Sequence, residues 1–269
     1  MAHKLELEFA GKTDTGMVRS HNEDAIHINP EYGFAILADG MGGYNAGEVA
    51  SSMAVEVTRQ ALETGLSHLS GRKRDQRLHQ LVTEAIQRAN TAVITAAQDN
   101  VQYDGMGTTI VAALFHGNKL TVAHVGDSRA YRMRQGELVQ ITRDHSLVQE
   151  QIDAGLVDPA WAPYAQNRNL VTRAVGVDPG MQVELHEHQV EEGDLYLICS
   201  DGLSDMLGAN EFHEIIEKSG AELPTLCEAL IQRANANGGH DNISVILAKV
   251  GRLPQLKSGI LSRLLHWKS

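Results

Sequence analysis

Four aspartates, each set against an apolar run, constrain this 269-residue chain more than any other feature. "FAILADG" ends its run in Asp39, "TVAHVGDS" in Asp127 and "LYLICSDG" in Asp201, while "GGHDNISVILA" places Asp241 just before one. The Gly, Ser or Asn that follows each aspartate favours a turn, so each carboxylate is expected at a strand end. Strand ends of one sandwich share an edge, and acids gathered there repel and raise one another's pKa. Hard divalent cations, Mg²⁺ or Mn²⁺, hold such groups ionised with oxygen ligands alone. After Asp39 the chain runs Gly40, Met41, Gly42, Gly43, bare backbone that turns sharply or approaches a bound group closely. Taken singly, each aspartate is an ordinary turn residue; their repetition beside strongly apolar runs points to a cation site.

Strand signatures recur along the chain in "LELEFA", "AIHIN", "GFAILA", "TTIVAALF", "LTVAHV", "RAYRMR", "VELHEHQV", "DLYLICS" and "ISVILAKV". Alternation in "KLELEF" predicts a sheet with one wet face, and the continuous "TIVAALF" and "YLICS" predict strands covered on both. "FHGNK" and "RMRQGEL" read as hairpins. Two long helices are predicted over Ala46–Leu66 and Gln76–Gln98, with apolar stripes Val49, Ala50, Met53, Ala54, Val57, Ala61, Leu62 and Leu78, Leu81, Val82, Ala85, Ile86, Ala89, Val93. Glu211–Lys218 and Glu222–Asn237 read as a later helical pair. Hairpins of adjacent strands with helices arriving in pairs predict an α+β, mainly antiparallel layered domain. The stretch from 146 to 172, with Pro159, Trp161 and Pro163, has weaker periodicity and reads as a flap-like insertion.

A formal net charge of −11 argues against nucleic acid as the main partner. Cys199 and Cys227 have no metal-ligand spacing, and Cys199 inside "DLYLICS" reads as a buried thiol of a reducing compartment. The first residues carry charges rather than an apolar leader, and no run is long enough to span a bilayer. A soluble, cytoplasmic protein, monomeric, is the expectation.

Other loop chemistries fit the glycine segment less well. A dinucleotide fingerprint needs a small residue at position 45, which is Asn, and an acid about twenty residues on, where Gln60 stands. Glu48 rather than lysine follows Gly47, against a P-loop, and no G-x-S-x-G elbow occurs. "HEH" places His186 and His188 on one strand face, a weak hint of zinc with no third ligand in view. In "VRSHNEDA", Arg19 offers a planar fork for phosphate oxygens, and Glu23 and Asp24 precede a strand and are suited to orienting metal-bound water. An exposed charged loop is the plainer reading of that segment alone.

Taken in order, "RSHNED", "ADGMGG", "GMGTT", "HVGDSRAY", "TRDHS", "LVTRAVG", "CSDGL" and "HDNISVI" closely resemble the PPM family of metal-dependent, type 2C-like serine/threonine protein phosphatases, bacterial kind. The resemblance spans Leu5 to Lys249 and implies two antiparallel sheets in a four-layer α-β-β-α sandwich flanked by helix pairs. It implies a phosphatase domain over 1–250, a flap over about 146–172 bordering the substrate cleft, and a separate tail over 251–269. It implies Asp39 as the carboxylate bridging two metals, the Gly40 carbonyl on one of them, and Asp201 and Asp241 on the other. Asp127 with Asp201 resembles a weaker third-metal site, Arg19 the phosphate-binding arginine, and Glu23 and Asp24 the water-holding acids. Two Mn²⁺ or Mg²⁺ ions are thus implied, with a bridging water activated for in-line attack on phosphorus and no phospho-enzyme.

Some family members carry histidine where this chain has Met41, and a thioether donates no proton, so the general acid stays unassigned. The implied partners are phosphorylated proteins, with a bacterial serine/threonine kinase and its targets. The alternative is a catalytically silent binding module on the same fold, which loss of Asp39, Asp201 or Asp241 would favour; all three are present. The final segment "LPQLKSGILSRLLHWKS" is basic and, if helical, aligns Leu256, Ile260, Leu261, Leu264, Leu265 and Trp267 on an apolar face. Packing on the domain is the first expectation for it, and a partner or membrane surface the second.

Overall fold

The computed structural model describes residues 5–43, 46–69, 74–165, 170–219 and 222–253. The tail from 254 onward, and 166–169 within the expected flap, lie outside the described residues. Two antiparallel sheets stack face to face. One has the order β1 (Leu7–Asp14), β11 (Ile243–Val250), β10 (Leu195–Cys199), β7 (Arg129–Arg134), β8 (Glu137–Gln140). The other runs β2 (Asp24–Asn29), β3 (Phe34–Met41), β5 (Ile110–His116), β6 (Lys119–Val125), β9 (Glu184–Gln189), with the short β4 (Gly107–Thr108) paired to the end of β3.

Strict alternation inside continuous apolar runs builds the layers. In β3, Phe34, Ile36 and Ala38 face the helix pair α1 (Ala46–His68) and α2 (Arg74–Asp99), while Ala35 and Leu37 face the other sheet. In β11, Ile243, Val245 and Leu247 face α5 (Ala209–Ser219) and α6 (Leu223–Ala236), while Ile246, Ala248 and Val250 face inward. With both faces covered, neither strand has room for polar alternation. Among the described residues three apolar clusters result, one between the sheets and one under each helix pair, which is the four-layer α-β-β-α sandwich expected.

The long helices start and stop near their expected bounds, and the short α3 (Leu147–Asp153) opens the expected flap, but α1 is turned from its expected stripe. Ala50, Ser51, Ala54, Thr58 and Leu62 are fully buried, whereas Val49, Met53 and Val57 lie half-buried at its margin. Small residues let the α1 backbone lie close to the sheet, so the smallest side chains, not the largest, mark the contact face. Both hairpins form: "FHGNK" joins β5 to β6, and Gln135 and Gly136, at φ 51° and 81°, turn β7 into β8. Cys199 and Cys227 are buried free thiols. Among the described residues no helix is long and apolar enough to cross a membrane.

Candidate metal centre

The expected carboxylates meet at one end of the sandwich. A cleft of about 280 Å³ is lined by Arg19, Glu23, Asp39, Gly40, Asp127, Asp201 and Asp241, together with Met41, Gly42, Thr109 and Val171. Asp24 stands beside it: it opens β2 and pairs directly across from Asp39 in β3. Two of the acids are not on turns as expected. Asp39 lies inside β3, two residues before its end, and Asp201 begins a short helix, α4 (Asp201–Ser204). Histidines 186 and 188 do not line this cleft.

Backbone and neutral side chains hold each acid. Asp39 donates its N–H to Thr109 Oγ1 (3.1 Å), and its carbonyl accepts from Thr109 N (2.8 Å) and Thr108 Oγ1 (2.8 Å). Asp24 Oδ2 accepts from Ser200 Oγ at 2.8 Å. Asn242 binds three segments together: its Oδ1 accepts from Glu23 N (2.8 Å), and its Nδ2 donates to Thr15 O (3.0 Å) and His21 O (2.8 Å). Asp241 Oδ1 accepts the Asn242 N–H (2.8 Å), and its Oδ2 accepts from Arg19 Nη2 (2.7 Å). Asp127 rides on a loop clamped by His145, which gives its N–H to Gly126 O (2.9 Å) and takes the Gly126 N–H on Nδ1 (3.1 Å). An ion pair between half-buried Arg129 and buried Asp144, Nη2 to Oδ2 at 2.6 Å, ties the same two segments.

The glycines are required for close approach. A Cβ on Gly40 would lie 2.1 Å from Gly47 O and 2.6 Å from Glu23 O, and one on Gly47 would lie 2.7 Å from Glu23 Oε1. Bare backbone at both positions therefore seats the start of α1 and Glu23 against the end of β3.

Electrostatics favour a cation in the cleft. Burial, then Asp24, Asp201, Asp127 and Asp241, push the Asp39 carboxyl well above its ordinary value. Burial raises Asp24 to about 7, with Asp201 and Asp241 adding to it against the hydrogen bond from Ser200. Burial, Asp205 and Asp241 raise Asp201 to about 6, and burial, Asp201 and Asp144 raise Asp127 to about 7. Asp24 Oδ1 is buried with no hydrogen-bond partner among the described residues. Five aspartates and Glu23 gather at a cleft whose described lining holds one arginine, Arg19, and nearly every polar atom offered is an oxygen. That donor set fits hard divalent cations such as Mn²⁺ or Mg²⁺.

Arg19, Glu23, Asp24, Asp39, Gly40, Asp127, Asp201 and Asp241 are thus all gathered here, as expected from the sequence. Asn242, Ser200, Thr109 and His145 were not anticipated as parts of the site. Their task is to satisfy backbone groups across distant segments, and nothing in local spacing announces it.

The protein phosphatase 2C family model matches residues 17–246. The serine/threonine phosphatase stp of Listeria monocytogenes is 35% identical over 248 residues, covering 91% of this chain and 96% of that protein. The serine/threonine protein phosphatase PstP of Mycobacterium tuberculosis is 37% identical over 251 residues, covering 91% of this chain, and the chain spans only 45% of that protein's length. The solved catalytic domain of PstP, in complex with two manganese ions, superposes with a TM-score of 0.79 at 36% identity, covering 93% of this chain and 100% of that one. The acid-lined end of the sandwich and these matches agree: the chain belongs to the protein phosphatase 2C family.

Proposed function

We propose that this chain is a divalent-cation-dependent protein serine/threonine phosphatase whose centre is the cleft around Asp39. The observation that carries the proposal is the convergence of Asp39, Asp127, Asp201, Asp241 and Arg19 on one small cleft. Asp39, Gly40, Asp201 and Asp241 would hold two core cations, and Asp127 with Asp201 a third, weaker one. Bound Mn²⁺ or Mg²⁺ supplies charge neutralisation and a water acidic enough to act near neutral pH.

The chain's own residues then bind and orient. Asp241 fixes one edge of the Arg19 guanidinium, and among the described residues no group takes its remaining N–H donors. That leaves a planar fork for phosphate oxygens at the cleft rim. Glu23, anchored through its own N–H to Asn242, lines the cleft, and Asp24, anchored to Ser200, stands beside it; both would orient water there. Met41 lines the cleft and carries no ionisable proton, so it is not the acid for the departing alkoxide.

A polypeptide substrate is supported by the rim. Met17 and Val18, next to Arg19, are 69% and 65% exposed, and Leu170, next to Val171, is 52% exposed. These apolar side chains suit residues flanking a phosphoserine or phosphothreonine. Residues 146–172 act as the flap: Ser146 and Val171 pair across its base, and Thr172 N donates to His145 O. A bacterial serine/threonine kinase and its targets are the partners this reading assigns, to a cytoplasmic monomer with a domain over 1–250.

The test is phosphate release from a phosphothreonine peptide by purified protein. Release that needs Mn²⁺ or Mg²⁺ and stops on chelation supports the enzyme. Peptide binding without turnover, at any cation concentration, would instead identify a silent binding module.

A further inference from the structure

We propose a second metal site, for a borderline transition ion of the Zn²⁺ or Co²⁺ class, formed by His124, His145 and Glu184. None of the three lines the carboxylate cleft, and the site does not depend on the phosphatase reading. Antiparallel pairing of β6 with β9 sets His124 opposite Glu184 and Val122 opposite His186. By alternation these residues share the strand face of Leu120 and Val122, which is turned toward the other sheet. The Gly126 clamp brings His145 to the same place, its ring stacked on that of His124 at 4.8 Å and 13°. One ligand atom from each of His124, His145 and Glu184 lies within 4.8 Å of the others.

The protonation pattern is that of a ligand set. His124 is fully buried, and its Nε2 lies 2.7 Å from the Arg143 carbonyl oxygen, so that nitrogen carries the proton. The lone pair is therefore on Nδ1, which is buried and has no hydrogen-bond partner among the described residues. A buried acceptor left unpaired in this way is unfavourable, and a bound cation would satisfy it. Metal-ligating histidines commonly give their second N–H to a backbone carbonyl in this way, which fixes the tautomer that coordinates.

Glu184 supplies the charge: its carboxylate takes hydrogen bonds from His186 Nε2 (2.7 Å) and His145 Nε2 (3.1 Å). Although burial works against ionisation, those bonds hold its pKa below the ordinary value. The side chains of Glu184 and His186 are 26% and 42% exposed and form the way in from solvent. Two imidazoles and one carboxylate, with remaining positions for water, suit Zn²⁺ or Co²⁺ and not the all-oxygen preference of Mg²⁺.

Occupancy reaches the loop of Asp127. His145 accepts the Gly126 N–H on Nδ1, so its proton stands on Nε2 when no ion is bound. Coordination through Nε2 moves that proton to Nδ1 within the same neutral ring, and the Gly126 hydrogen bond is given up. The ion and the clamp on the Gly126–Asp127 loop therefore compete for one side chain.

The experiment titrates Co²⁺ into the full chain under saturating Mg²⁺, reading the visible absorption of Co²⁺ and the Gly126 amide resonance. The expected result is one equivalent of Co²⁺ with an intense low-coordinate band, displaced by Zn²⁺, with the Gly126 resonance shifting in step. Glu184→Gln, which preserves shape at a partly exposed position, should weaken Co²⁺ binding more than about 10-fold while staying folded. Asp201→Asn, in the carboxylate cleft, should keep the band. No band under saturating Mg²⁺, a band indifferent to Glu184→Gln, or one lost with Asp201→Asn would overturn the site and leave only a histidine hydrogen-bond network. A band with an unmoved Gly126 resonance would overturn the ligand role of His145.

Discussion

Replacing Asp127 by asparagine should change how the cation-free fold responds to pH. Asp127 is 7% exposed, and burial, then Asp201 and Asp144, lift its carboxyl from 3.8 to about 7. In the unfolded chain the ordinary value returns. The folded protein thus keeps a proton that the unfolded chain has already released. That preference stabilises the fold fully below the unfolded pKa and is lost as pH rises through the folded one. At about 1.4 kcal/mol per unit, going from pH 5 to pH 7 removes roughly 2 kcal/mol through this one group. Asparagine does not titrate, so the stability of Asp127→Asn relative to wild type should improve by about 2 kcal/mol over the same interval. Urea unfolding in the presence of chelator, at pH 5, 6 and 7, measures the difference. The buried histidines titrate in both proteins and cancel. Adding Mn²⁺ at pH 7 should raise the wild-type midpoint more than that of the variant, because cations bind the ionised cluster. A wild-type-to-variant difference that stays flat with pH would refute the crowding of carboxylates on which the site rests.

Arg19→Ala should raise KM for phosphopeptides and small aryl phosphates alike, with the core cations retained; an unchanged KM for both would remove Arg19 from the phosphate. Gly40→Ala should cost at least about 2 kcal/mol, because its Cβ would meet the Gly47 carbonyl at 2.1 Å and backbone must move. Thermal or urea unfolding checks it, and a neutral result would mean the start of α1 is not seated as described. Leu156→Ser and Leu170→Ser, at exposed flap positions, should alter the choice among phosphoproteins and spare aryl phosphate hydrolysis. Equal loss on both substrate types would make the flap a structural segment.

The layers were legible because strands covered on both faces must be apolar throughout, and "FAILA", "IVAALF" and "ISVILA" leave no other reading. The face of α1 was not. Its burial is set by how near Ala50, Ser51 and Ala54 let the helix come to the sheet, and a stripe of larger side chains misplaces it by part of a turn. In the site, the aspartates announce themselves by position against apolar runs, but what clusters them is tertiary. Asn242 joins Glu23, Thr15 and His21 from more than two hundred residues away, by bonds to backbone that no local pattern encodes. The histidines show the same limit. "HEH" was visible on one strand, whereas His124 and His145 meet Glu184 only through the β6–β9 register and the Gly126 clamp. Helix α4 was missed because it is a single turn, shorter than any periodicity.

The measurement that bears most directly on the central claim is a manganese anomalous-difference map of crystals grown with Mn²⁺, for wild type and for Asp39→Asn. The account predicts two strong peaks in the wild-type cleft, both in contact with Asp39, one shared with Gly40 and the other with Asp201 and Asp241. It predicts that Asp39→Asn weakens both peaks together and abolishes phosphate release. Peaks that avoid Asp39, or full turnover by Asp39→Asn with its manganese in place, would contradict it.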